Sequence, residues 1–194
     1  MNENKNKSNR WKEIFNVRTI AINALIAALY AILTYLGNFA GLSYSFMQFR
    51  FSEFLMLLVF FNSHYTLGLT IGCLLANLIS SSGIYDITLG TLATFISCIL
   101  MIVFSKKVKS LFLTGLIPCF VNAFMVPLII YLASIGTDGA FNMTGMVYFV
   151  MWGWVLLGEL LSINVFGYII FMILKHYRNF PKMVDAKRNA DFKW

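Results

Sequence analysis

Four ionisable residues in this 194-residue chain sit where ionisable residues are expensive. Arg50 and Glu53 stand three residues apart at the start of one apolar stretch, Asp86 opens another, and Glu159 lies inside a third beside Gly158 and two leucines. A charge at the centre of a bilayer costs about 2.5–3.5 kcal/mol on insertion scales, so such a group is turned inward, paired and functional by default. The short stem of Glu159 rules out snorkelling to the interface. Three carboxamides extend the set: Gln48 beside Arg50, Asn77 near the end of its apolar stretch, and Asn122 within another. Between them these groups donate to and accept from a hydrogen-bonding small molecule, which is binding chemistry.

Each has a plainer reading. Arg50 and Glu53 share one helical face and pair with each other. A lone Asn or Gln in a membrane helix is interhelical glue worth under about 1 kcal/mol. Asp138, in a loop beside Gly136 and Gly139, reads as solvated. Collection of the others near one end of the chain's apolar elements favours a pocket. Of the aromatics at that end, Phe46, Phe49, Tyr85, Tyr148, Trp152 and Trp154, most read as an interfacial belt, and one or two are available to stack on a planar ring.

Catalytic arrangements are missing. There is no HExxH, no GxSxG and no paired nucleophile and base, and no GxxxxGK[ST] loop to hydrolyse ATP. Cys73, Cys98 and Cys119 lie in apolar runs with no CxxC pair, and read as buried hydrophobes rather than disulfides or metal ligands. No cofactor or metal is expected. An intramembrane enzyme using Glu159 as acid or base is the distant alternative.

The elements that must position these residues are membrane helices. The chain is 59% hydrophobic and 12% charged, whereas soluble domains are nearer half apolar and a quarter charged. A span needs about 20 apolar residues, and six candidates are present: Thr19 to Gly37, Phe51 to Phe61, Tyr65 to Ser80, Ile87 to Phe104, Leu111 to Ala133 and Val147 to Leu174. The second is short, so it is either tilted and extended by flanking residues or sheltered by its neighbours. Helix is the only open chain conformation whose backbone is satisfied in lipid. The fold expected is an all-α six-helix bundle, residues 19–174, with a polar N-terminal segment 1–18 that is not a cleavable signal and a basic tail 175–194.

Charge tests the count. Lys5, Lys7, Arg10, Lys12 and Arg18 precede the first span, Lys106, Lys107 and Lys109 lie between the fourth and fifth, and Lys175, Arg178, Lys182, Lys187, Arg188 and Lys193 follow the sixth. Six spans with both termini cytoplasmic put every basic residue except Arg50 on the side that favours them. The net charge of +7 is therefore a membrane-orientation signal, not a nucleic-acid footprint. His64 and His176 fall at the cytoplasmic edges, away from the outer cluster. In the first span Ala24 with Ala28 and Ala27 with Ala31 form overlapping small-xxx-small pairs, which let another helix approach closely or serve packing inside the bundle.

Three runs carry a family resemblance. Met47-Gln48-Phe49-Arg50-Phe51-Ser52-Glu53, then Gly68 through Gly72-Cys73-Leu74-Leu75-Ala76-Asn77, then Asp86-Ile87-Thr88-Leu89-Gly90-Thr91-Leu92-Ala93-Thr94, resemble the QueT family over about Tyr44 to Thr94. The stretch after Glu53 is bulkier than the family often shows. The resemblance implies a substrate-binding S component of an energy-coupling-factor (ECF) transporter in a bacterial plasma membrane. Such a subunit captures a queuosine precursor (preQ0, preQ1 or queuine) at the outer face. It docks through its alanine-rich first helix on a transmembrane coupling subunit driven by two cytoplasmic ATPases, and topples to release its cargo. A 7-deazaguanine offers a paired ring N–H and exocyclic amine to a carboxylate, Glu53 or Glu159, and a carbonyl to Arg50, Gln48, Asn77 or Asn122, while Asp86 could balance an aminomethyl group. An S component for another vitamin and a self-sufficient carrier are the alternatives within transport.

Overall fold

A computed structural model describes residues 16–39, 50–80, 82–135, 145–176 and 180–183. Gln48, Phe46, Phe49, Asp138 and most of the two terminal segments lie outside them. The described residues are helical with no strand. Six helical segments follow the six candidate spans: α1 (Val17–Phe39), α2 (Phe51–Phe61), α3 (Tyr65–Asn77), α4 (Asp86–Phe104), α5 (Leu111–Ser134) and α6 (Gly145–Lys175). A one-turn α7 (Phe180–Met183) follows. Among the described residues, α1, α4, α5 and α6 are the helices long and apolar enough to cross a membrane unaided.

The short α2 is the centre of the bundle. Its first seven residues, Phe51–Leu57, form a 3₁₀ helix and the last four, Leu58–Phe61, an α-turn. At about 2.0 and 1.5 Å per residue this reaches about 20 Å, well short of the about 30 Å hydrocarbon core. Of the two ways out, the structure takes shelter. Ser52, Glu53, Leu55, Met56, Leu57, Val59, Phe60 and Phe61 are all buried, and no residue of α2 is exposed. Glycines on the surrounding helices make room for it. A Cβ on Gly167 of α6 would stand 2.9 Å from both Leu57 Cδ1 and Phe54 Cβ, and one on Gly115 of α5 would stand 3.2 Å from Leu57 Cδ2.

α1 packs on α3 just as closely. A Cβ on Gly68 would lie 2.6 Å from the Asn23 carbonyl oxygen, and one on Gly72 would lie 2.8 Å from Tyr30 Cβ. The Asn23 side chain uses that proximity: its Oδ1 accepts from Gly68 N at 2.8 Å, a polar tie between α1 and the first turn of α3. Outward faces are largely apolar, with Leu25, Leu29, Ile32 and Leu36 of α1 and Ile169, Met172 and Ile173 of α6 exposed, as suits a lipid-facing surface.

The two ends of the bundle differ. At one end Phe61 stacks on Phe171 (centroids 5.7 Å apart) and meets Phe180 edge-on (5.4 Å), which joins the end of α2 to the end of α6. The Asn62–His64 turn shares this end, and His176 follows α6 there. At the opposite end α2 begins at Arg50, and there the polar side chains gather.

Candidate functional site

Arg50 is the hub. Its side chain is buried, and Nη2 donates to Asn77 Oδ1 at 2.7 Å. Its guanidinium stands 3.8 Å from Glu53 Oε1 and 3.9 Å from Asp86 Oδ2, so two carboxylates share it. The sequence places these three residues on α2, α3 and α4, and tertiary packing turns 27- and 36-residue separations into one cluster. Ser162 of α6 donates its hydroxyl to the Arg50 carbonyl oxygen, tying the fourth wall to the same point.

Every neighbour of the hub is held in turn. Tyr30 donates to Glu53 Oε1 at 2.6 Å. One turn later the hydroxyl of Thr34 bonds that of Ser52 at 2.7 Å, a second tie between α1 and the start of α2. Asn77 Nδ2 donates to the Asp86 carbonyl oxygen at 2.9 Å, and Ser80 donates to Asp86 Oδ2. Gly90 is part of this arrangement, because a Cβ there would stand 2.8 Å from Asp86 Oδ1 and 2.9 Å from Asn77 Nδ2. Asp86–Gly90 is a π-turn, a widening often found at functional sites.

Glu159 forms the second centre. It is 1% exposed, it ends the first part of α6, and a π-helical stretch, Leu160–Gly167, follows it. Asn122 Nδ2 donates to its Oε1 at 3.0 Å. Glu159 stands at the edge of the interface between α6 and α2, and Glu53 lies on the α2 side of it. There Leu160–Gly167 packs against Phe51–Leu57.

The sequence-derived candidates therefore divide. Arg50, Glu53, Asn77 and Asp86 meet in one network, while Asn122 and Glu159 form a pair beside it. Gln48 lies outside the described residues. Both asparagine amides already donate within the protein, so neither is an idle donor. Glu53 Oε2, Glu159 Oε2 and Trp152 Nε1 are among the buried polar atoms of the described residues that have no hydrogen bond, as are the hydroxyls of Thr66, Thr91 and Ser97. Buried polar atoms are ordinarily satisfied, and the two carboxylate oxygens and the indole N–H are available to a hydrogen-bonding partner from outside the chain. Trp152 stands two turns before Glu159 on the same face of α6, with its ring 5.7 Å from Phe124. Trp154, by contrast, is exposed.

Tyr30, Ser52, Thr34 and Ser162 were not legible as site residues. Their signal was present only as polar residues in apolar helices, and membrane helices carry many of those. The alanine set divides as well. Ala27 and Ala31 are buried, Ala27 against Gly72, so this pair serves packing inside the bundle, while Ala24 and Ala28 face outward. Cys73, Cys98 and Cys119 are free and buried. No group of three or more metal-ligating side chains occurs among the described residues. A shallow groove along α6, lined by Phe149, Val150, Gly153, Trp154, Leu156 and Leu157, contains none of the polar residues.

A family model described as QueT transporter matches residues 20–176. The chain is similar to the queuosine precursor transporter QueT of Lactococcus lactis subsp. cremoris (strain MG1363), at 31% identity over 157 residues, covering 80% of this chain and 90% of that protein. No solved structure matches the chain. The matched region contains all six helical segments apart from the first three residues of α1, together with both polar centres, and on that extent of similarity this chain belongs to the QueT family.

Proposed function

We propose that the chain is the substrate-binding subunit of an ECF-type importer and captures a queuosine precursor in the polar layer between Arg50 and Glu159. The observation that carries the reading is the pair of buried carboxylate oxygens without a partner among the described residues, Glu53 Oε2 and Glu159 Oε2, on packed helices of a lipid-compatible bundle. A 7-deazaguanine base has the matching edge: a ring N–H and an exocyclic amine donate side by side, and its carbonyl oxygen accepts. Trp152 Nε1 is an available donor for that carbonyl, and its indole an available stacking surface. The relative's printed substrate supports the same class of ligand.

The basic residues orient the subunit. Lys106, Lys107, Lys109 and Lys175 flank the end of the bundle where Phe61 meets Phe171, so that end faces the cytoplasm and the Arg50 end faces outward. Both termini are then cytoplasmic, in a bacterial plasma membrane. Uptake needs an energy source that this chain lacks, which a transmembrane coupling subunit and two ATPases provide. Ala24 and Ala28 on the outward face of α1 are the contact for the coupling subunit.

Calorimetric titration of the purified subunit in nanodiscs, against preQ0, preQ1, queuine, riboflavin, thiamine and biotin, tests the reading. Tight binding of a deazaguanine that is lost in Glu53→Ala supports it. Binding of a different vitamin keeps the capture role and replaces the ligand, and a folded protein that binds none of the six overturns the reading. Vesicles holding this chain alone should bind ligand without accumulating it.

A further inference from the structure

The charges of the polar layer do not balance. Arg50 is the only lysine or arginine between Thr19 and Ser105, and there is none between Ser110 and Leu174. The same helices bury three acidic side chains, Glu53, Asp86 and Glu159. Glu53 and Asp86 share the Arg50 guanidinium at 3.8 and 3.9 Å. Glu159 has a neutral partner, Asn122, and a second oxygen with no partner among the described residues. The α6 stretch that follows it, Leu160–Gly167, packs against Phe51–Leu57, the α2 stretch that carries Glu53 and follows Arg50. The segment joining α1 to α2 carries no charge, and that joining α5 to α6 adds only another carboxylate, Asp138. The chain therefore supplies no second cation to this end of the bundle. A buried carboxylate is stable as an anion only when a positive charge or several donors face it.

We propose that the missing charge arrives with the ligand: the site selects a planar base carrying a protonated amine, and Glu159 is the counter-ion of that ammonium. This rests on the capture reading above and narrows it to one chemical class among the precursors. Glu53, pinned through Oε1 by Tyr30 and flanked by Arg50, keeps Oε2 for the neutral N–H edge of the base. Glu159, with a neutral partner on one oxygen and none on the other, is the less compensated of the two and the better seat for an ammonium. A neutral analogue that is the same except for a nitrile in place of the aminomethyl group leaves Glu159 uncompensated.

The test compares 7-aminomethyl-7-deazaguanine with 7-cyano-7-deazaguanine by calorimetry at neutral pH, on the full-length protein and on Glu159→Gln. Truncating one partner of a buried charge pair costs enough that the wild-type preference for the amine should be about 30-fold or more. Glu159→Gln should bring the two affinities within about threefold of each other by weakening the amine alone. Equal binding of the two compounds by the wild type, or tighter binding of the nitrile, overturns the inference while leaving capture of a deazaguanine in place. An amine preference that survives Glu159→Gln overturns the assignment to Glu159. Binding of neither compound by folded protein removes the capture reading and this inference together. The wild-type comparison needs no substitution, so a variant that fails to fold does not obscure the outcome.

Discussion

The Tyr30 hydroxyl donates to Glu53 Oε1 at 2.6 Å, joining the middle of α1 to the first turns of α2. Both side chains are fully buried. The bond fixes which oxygen of Glu53 is spent inside the protein and which is left to a ligand. Tyr30→Phe removes the donor and leaves a second carboxylate oxygen unsatisfied, at a cost of about 1–3 kcal/mol in stability. A lower unfolding temperature together with weaker deazaguanine binding is expected. Unchanged affinity would mean that Glu53 is held by Arg50 alone.

Arg50→Ala should be far more damaging than the loss of any one of its partners. It leaves Glu53 and Asp86 without their shared cation, and breaking a buried pair typically costs about 3–5 kcal/mol. Adding Glu53→Gln should recover part of that loss, because a neutral amide has no charge to strand. A double-mutant cycle on thermal unfolding in detergent reads the coupling. Simple additivity would show that the 3.8 Å approach contributes little.

Gly90→Ala tests the π-turn at the start of α4. The added methyl would sit 2.8 Å from Asp86 Oδ1 and 2.9 Å from Asn77 Nδ2, so one of the two must move. Overpacking of this kind costs about 1–3 kcal/mol. Asn77 is also the acceptor for Arg50, so the displacement should reach the hub. Ligand affinity is expected to fall while the helical content measured by circular dichroism stays constant.

The alanines of α1 predict two separable phenotypes. Ala27→Leu pushes into Gly72 of α3 and should destabilise the isolated subunit by about 1–3 kcal/mol. Ala24→Leu with Ala28→Leu lies on the outward face and should leave folding and ligand binding intact. If that face docks on the coupling subunit, the double variant should lose co-purification with it. Retained co-purification would move the docking surface elsewhere.

Much of the architecture was already written in the chain. Bilayer thickness and the backbone's need for internal hydrogen bonds allow few ways to place runs of this length. Hence the observed segments follow the expected spans to within a few residues. Arg50, Glu53, Asp86 and Glu159 were visible for the same reason, since a charge amid apolar residues is conspicuous whatever its partners. Two ambiguities, the short second span and the four alanines, were set out correctly but could not be resolved from sequence. Their answers depend on which face another helix covers.

The sequence by itself determined that six apolar segments form a helical bundle with a few buried charges, because composition and lipid leave no other economical arrangement. Only the tertiary structure decided that α2 is a central 3₁₀ stretch, that Tyr30 joins Arg50 in holding Glu53, and that Asn77 and Asn122 are already engaged. Those are contacts between residues 23 to 37 positions apart or more, set by glycine-lined helix crossings. No local pattern in the chain encodes where such crossings fall. They emerge only when whole helices settle against one another at the distance their smallest residues permit.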